Sequence, residues 1–280
     1  MVKVGVNWTR GVHLPLIQQM VGGRVADFVE VLIDNFLHVE PRAMAEALDG
    51  VPVAFHIMHS RFMERGPEDL AFMAGRIRAL ARELKPIYIS DHLLRFSIEG
   101  RELIYLPELD YGPAYDGARR AVLAWQDRLE SRVLFENYPS VFDAGHEQPA
   151  FLESLLRDTG AGLLFDISNA VCAQRNCGLS LSAWDRLVRD TEHFHVAGYE
   201  PSTEPPFVTL DMHGTNLADD TLAYTEHALR VAWHPSTISV ERDNNVELEP
   251  WSADLSAVRR LAELSVSQRP GRLEERAHAP

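Results

Sequence analysis

The sequence predicts a single α/β domain built as a (β/α)8 TIM barrel. Eight short apolar or β-branched runs recur along the chain, and segments with helical spacing separate them. Several of the runs are apolar almost throughout, as strands of a parallel sheet covered on both faces must be. The length, 280 residues, suits one such barrel of roughly 250 residues. A doubly wound open sheet is the alternative, but no Gly-rich phosphate loop follows the first run.

The expected strands are Val2–Asn7, Asp27–Leu32, Val51–Ile57, Pro86–Asp91, Val133–Asn137, Gly162–Asp166, His193–Ala197 and Thr237–Glu241. Between them, Pro67–Leu84 sets Met73, Ile77, Leu80 and Leu84 on one helical face, and Ala114–Leu129 does the same with Val122, Trp125 and Leu129. Gln148–Thr159, Leu181–Arg189, Asp220–Ala232 and Ala253–Leu264 share this period, with starts marked by Ser182 and Asp219/Asp220. Leu14–Val21 and Pro41–Leu48 are expected as short helices. Leu93–Pro107 reads as a hairpin insertion after the fourth strand, turning at Glu99-Gly100. Such excursions often serve as lids or partner surfaces, and Phe96, Tyr105 and Tyr111 there either meet a peptide or fold back on the barrel. Glu200–Asn216 is a second long, Pro-rich connection. One domain over residues 1–267 and a flexible tail over 268–280 are expected, because the tail lacks apolar anchors.

The chain carries 41 Asp+Glu against 27 Lys+Arg, a net charge of -14, which disfavours nucleic acid and anionic lipid as partners. The start lacks the apolar run of ~7–15 residues of a signal peptide, and no window approaches the ~18–20 apolar residues of a membrane helix. Cys172 and Cys177 are spaced C-x4-C, unlike a common zinc knuckle. Reduced, spectator thiols in a cytoplasmic protein are expected.

In a barrel the C-terminal strand ends share one rim, where active sites form. From the third strand onward, these ends present His56, His92, Glu136, Asp166-x-x-Asn169, His195 (with Asp211-x-His213 in its loop) and Glu241. A lone histidine at a strand end is usually a packed, hydrogen-bonded one. Six successive strands ending in a candidate ligand form a stronger pattern. Carboxylates crowded at one rim repel unless cations neutralise them, so the pattern points to more than one metal. All donors are N or O, which suits iron, manganese or zinc. Asp243 shares a strand face with Glu241 and is the candidate catalytic proton acceptor; a ligand and a surface ion pair are its alternatives. His193 is expected lower in the barrel, and His59 no closer than the ligands' neighbours. Asp91 is expected to brace a neighbour, Asn137 and Tyr138 to line the pocket, and Glu30 or Asp34 to hold a ligand histidine.

The ligand order resembles that of xylose-isomerase-like barrels, including the trinuclear endonuclease IV enzymes. Their pattern is His, His, Glu, Asp-x-x-His, His, Asp-x-His, Glu; this chain departs from it at Asn169, an amide oxygen in place of an imidazole. Longer strings narrow the likeness. Val-Glu-Val-Leu-Ile-Asp-Asn-Phe (29–36), Val-Ala-Phe-His-Ile-Met (53–58), Tyr-Ile-Ser-Asp-His (88–92), Glu-Asn-Tyr-Pro-Ser (136–140), Leu-Phe-Asp-Ile-Ser-Asn-Ala-Val-Cys-Ala-Gln (164–174) and His-Phe-His-Val-Ala-Gly-Tyr (193–199) surround the ligand positions. They resemble the multinuclear non-haem iron-dependent oxidase family, above all its methanobactin-biosynthesis members. The likeness runs from Val4 to about Leu264.

That resemblance implies two to three iron ions, mixed Fe(II)/Fe(III), with O2 as co-substrate. It implies a four-electron oxidation of cysteine in a ribosomal, MbnA-like precursor peptide to an oxazolone with an adjacent thioamide. It also implies a heterodimer with a smaller, MbnC-like partner protein. One metal would take His56, His92 and a bridging Glu136, a second Asp166, His195 and Glu241, and a third Asn169, Asp211 and His213. The alternatives are a trinuclear phosphoesterase of the endonuclease IV kind, a sugar isomerase and a non-catalytic metal-storing subunit. Composition does not choose iron; only the resemblance does.

Overall fold

A computed structural model describes residues 1–98, 100–102 and 108–267. Glu99 of the expected hairpin turn, Tyr105 and the 268–280 tail lie outside the described residues. Eight parallel strands close into a barrel: β1 (Lys3–Trp8), β2 (Val29–Leu32), β3 (Val53–Ile57), β4 (Ile89–His92), β7 (Leu134–Glu136), β8 (Gly162–Asp166), β9 (His193–Ala197) and β12 (Thr237–Glu241). Neighbours in the chain are neighbours in the barrel, and β1 closes it against β12, Lys3 opposite Thr237. The helices are α1 (Leu14–Gly22), α2 (Pro41–Leu48), α3 (Pro67–Leu84), α4 (Tyr111–Leu129), α5 (Gln148–Thr159), α6 (Ile167–Cys177), α7 (Asp185–Arg189), α8 (Asp219–Val231) and α9 (Leu248–Ser267). Two small antiparallel hairpins complete the fold: β5–β6 (Ser97–Ile98 with Arg101–Glu102) and β10–β11 (Tyr199–Pro201 with Thr209–Asp211).

Strand alternation sorts the side chains into two cores. Phe55, Phe135, Phe165 and Phe194, each one residue before a candidate ligand, join the main apolar core with Trp125 and Trp184. Phe28, Ala54, Tyr88, Leu134 and Leu164 form a separate plug inside the barrel. Gly5 makes room for that plug: a Cβ there would lie 2.3 Å from the Phe28 ring. The two cores hold the strand ends rigid and leave the polar residues above the plug.

Three local expectations change. Helix α6 was not anticipated: Ile167 through Ala173 are all buried, so no polar back reveals the period. Leu181–Arg189 is a 3-10 turn over Leu181–Trp184 followed by the short α7, not one helix. The Pro-rich Glu200–Asn216 connection contains the β10–β11 hairpin. Among the described residues, no helix is long and apolar enough to cross a membrane.

Candidate metal centre

The strand ends do converge. Glu136 Oε2 lies 3.5 Å from His56 Nε2, 3.2 Å from His92 Nε2 and 3.8 Å from His195 Nδ1. Glu241 Oε2 lies 3.0 Å from the same His195 nitrogen. Glu136, Asp166 and His195 bring ligating atoms within 4.8 Å of one another, as do His56, His92 and Glu136. All of these except His92 are buried, and His92 is nearly so.

The rings are aimed by their outer nitrogens. His56 Nδ1 lies 2.8 Å from the Ser90 hydroxyl, which itself donates to the Phe55 carbonyl; His92 Nδ1 lies 3.2 Å from the Ile57 carbonyl. Both rings therefore turn Nε2 to Glu136. Ser90 was missed by the sequence reading, although it shares the inward face of β4 with His92 by the period of two.

Asp166 has two tasks. Its Oδ1 accepts the Asn169 amide at 2.7 Å and caps α6, where the positive end of the helix welcomes a carboxylate. Asn169 Nδ2 donates to Glu136 Oε1 at 3.0 Å and to the Asn137 carbonyl at 2.9 Å. Both of those partners are acceptors, so the amide orientation is settled and Oδ1 is left free. Asn137 pairs with the Asp166 backbone in both directions and braces β8.

The third expected group is looser. His213 Nε2 lies 2.7 Å from Asp211 Oδ2, and its Nδ1 lies 3.0 Å from Asp243 Oδ2. His213 holds a left-handed φ of 53° and donates its backbone N–H to the Gly198 carbonyl. Gly198 is also needed for the close approach of Thr215, since a Cβ there would lie 2.2 Å from the Thr215 carbonyl oxygen. Asp243 also accepts from Asn7 Nδ2 at 2.9 Å, a partner the sequence did not reveal. No third ligand from the His, Cys, Asp and Glu residues described joins Asp211 and His213 as closely as in the two groups above.

Other candidates take the places physics gives them. Glu30 meets His195, with Oε2 2.7 Å from Nε2. Asp34 instead accepts the backbone N–H of His59, whose ring is 61% exposed. Asp91 accepts from the Trp125 indole and the His92 backbone. His193 lines a separate cavity, away from the ligands. Phe96 and Tyr111 are buried, folded back on the barrel. Cys172 is buried, Cys177 half-buried, and both are free thiols.

The charge pattern calls for cations. Burial, then the neighbouring Asp211, Glu136 and Glu241, pushes the Asp166 carboxyl well above its usual range. Burial raises Glu241 as well. Burial and the nearby His92 lower His56 to about 4, a neutral imidazole with a lone pair to give. Burial opposes a charge on His92, but Glu136 overrides it and raises this ring to about 9. Glu136 Oε2, Asp166 Oδ2, Asn169 Oδ1, Asp211 Oδ1 and His195 Nδ1 are buried without a hydrogen-bond partner. Buried orphans of this kind are rare in native proteins. Five of them around one rim, all N or O donors, fit a hard or borderline metal centre.

Above the centre lies a cavity of about 770 Å3. Leu32, Met58, Leu94, Val141, Leu210 and Met212 supply its apolar walls, and among the described residues none that lines it is Lys or Arg. Phe142, at 70% exposed, stands at its edge.

Comparison with known proteins agrees with this architecture. A family model described as RiPP precursor modification enzyme MbnB/TglH/ChrH matches residues 3–263. A UPF0276 protein of Rhizorhabdus wittichii is 30% identical over 234 residues, 79% of this chain and 80% of that protein. One from Caulobacter vibrioides is 29% identical over 260 residues, 87% of this chain and 86% of that protein. A xylose isomerase-like TIM barrel protein from Mycobacterium smegmatis, solved with magnesium, superposes with a TM-score of 0.62 at 14% identity, covering 95% of this chain and 98% of that one. The IOLI protein, solved with a zinc atom, gives 0.60 at 12% identity, covering 96% and 100%. At such identities these two structures speak for the fold alone. The family match spans the barrel and every candidate ligand: the chain belongs to the MbnB/TglH/ChrH family of RiPP precursor modification enzymes.

Proposed function

We propose that this enzyme is an O2-dependent, multinuclear iron oxidase that converts cysteine of a ribosomal precursor peptide to oxazolone and thioamide groups. The observation that carries the reading is the ring of unpartnered N and O donors beneath an apolar-walled cavity with no Lys or Arg among its described lining residues. A neutral peptide segment suits such walls. A phosphate ester would find no cationic side chain among the described lining residues to supplement the metals, which disfavours the endonuclease IV alternative.

In this reading His56, His92 and Glu136 would hold one iron, and Asp166, His195 and Glu241 a second. Asp211, His213 and the free Asn169 oxygen serve a third. Iron, when bound, would supply the one-electron chemistry that no side chain here can perform, and it would have affinity for a cysteine thiolate. The protein's own groups do the rest. Leu94, Val141 and Met212 exclude water and seat the peptide. Asp243 is the proposed proton acceptor. The hydrogen bond from His213 holds its carboxyl below the usual range against the opposing effect of burial, so it stays ionised; its side chain is 39% exposed. An MbnC-like partner and an MbnA-like peptide complete the complex, with the cytoplasm, where thiols stay reduced, as its compartment.

The test is metal analysis of anaerobically purified protein, then mass spectrometry of a Cys-containing precursor peptide with the partner present. Two or three irons per chain and an O2-dependent mass loss on the peptide are expected. Full zinc occupancy without iron would sink the reading.

A further inference from the structure

The barrel interior holds one carboxylate below the rim. Glu30, on β2, is 1% exposed. It is level with Ala54 of β3, two residues beneath the pairing of Leu32 with His56. Its Oε2 lies 2.7 Å from His195 Nε2, and the Tyr88 hydroxyl donates to its Oε1 at 2.9 Å. Tyr88 belongs to the interior plug, and its ring packs on His193 at 4.6 Å between centroids. Thr237, 2.9 Å from His193 Nδ1, fixes that ring in turn. The far nitrogen of His195, Nδ1, faces Glu241 and Glu136.

This arrangement inverts that of the other two histidines. His56 and His92 are held at Nδ1 and turn Nε2 to the centre. His195 meets a carboxylate at Nε2 and turns Nδ1 to the centre. A buried carboxylate is costly unless paired, so a plain structural plug would use an apolar residue at this position. A carboxylate beside one imidazole nitrogen claims its proton and leaves the other nitrogen with the lone pair a metal needs.

We propose that Glu30, steadied by Tyr88, is the positioning residue of the metal centre, holding His195 in the tautomer that ligates through Nδ1. Glu30, His56 and His195 also bring ligating atoms within 4.8 Å of one another; the proposal places Glu30 behind His195 because Tyr88 donates to one of its oxygens, His195 Nε2 lies 2.7 Å from the other, and it sits a layer below the rim pairing. The inference rests on the metal-centre part of the proposed function and not on its oxidase chemistry.

The experiment uses the full chain and Zn(II), a diamagnetic probe indifferent to turnover. Long-range 1H–15N spectra of histidine-labelled, Zn(II)-loaded protein should show His195 metal-bound at Nδ1 and protonated at Nε2. Glu30→Gln should weaken one metal position by roughly 10–100-fold while leaving the saturating number of ions per chain unchanged. Tyr88→Phe, the milder variant, should weaken the same position by roughly 2–10-fold and serves if Glu30→Gln fails to fold. Glu30→Asp should recover part of the affinity. Ligation at Nε2, loss of a whole ion at saturation, or wild-type affinity in the folded variants would each overturn the proposal. Loss of oxidase activity, or its absence from the start, would leave these readouts untouched.

Discussion

Glu136→Gln is the most informative single change at the rim. The amide keeps the shape and removes the charge that three histidines face. In metal-free protein the largest calculable loss is at His92, whose ring is 3.2 Å from Glu136 and only 15% exposed. Against the opposing effect of burial, Glu136 raises the folded ring to about 9, compared with 6.5 for a free imidazole. That difference corresponds to about 3 kcal/mol of stability. Because the folded value is the higher one, this stability is complete below pH 6.5 and drains away as pH rises through 9. The variant should therefore be less stable than wild type by about 3 kcal/mol at pH 6, which is roughly 6–12 °C in Tm for a domain of this size. By pH 9.5 the gap should nearly close. Urea unfolding of chelator-treated wild type and variant at pH 6, 7.5 and 9.5 measures it. A gap that is absent at pH 6, or equally wide at pH 9.5, refutes the pairing of His92 with Glu136.

Three further outcomes are expected. Adding Fe(II), Mn(II) or Zn(II) to chelated protein should raise its stability by about 2.7 kcal/mol for a site at a hundredfold excess over Kd, read by calorimetry. Asn169→Ala should lower metal content by up to one ion per chain, because it removes the free Oδ1 at the rim and the donor to Glu136; plasma emission analysis reads it. Cys172→Ala should leave metal content and peptide modification at wild-type levels, since burial raises that thiol far above the range of a reactive thiolate.

Much of the architecture was legible in the linear chain because it follows from local periods. Apolar strand runs and amphipathic helices alternate, and that alternation specifies a barrel before any contact is known. The barrel rule then places every strand end on one rim, so His56, His92, Glu136, Asp166, His195 and Glu241 could be gathered without coordinates. Helix α6 escaped because burial on all sides erases the pattern that betrays a helix.

What waited for the tertiary structure was pairing, protonation and direction. Asn7 and Asp243 are 236 positions apart and meet only when β1 closes the barrel against β12. Which nitrogen of each histidine faces inward depends on Ser90, the Ile57 carbonyl and Glu30, none of which is its sequence neighbour. His56 and His92 are the same residue type at the same rim, yet one is pulled down to about 4 and the other raised to about 9. Ligand identity is a property of residue type and period, which a sequence carries in order. The charge and aim of each ligand are sums over every dipole, carboxylate and desolvating wall around it, and only the closed barrel brings those together.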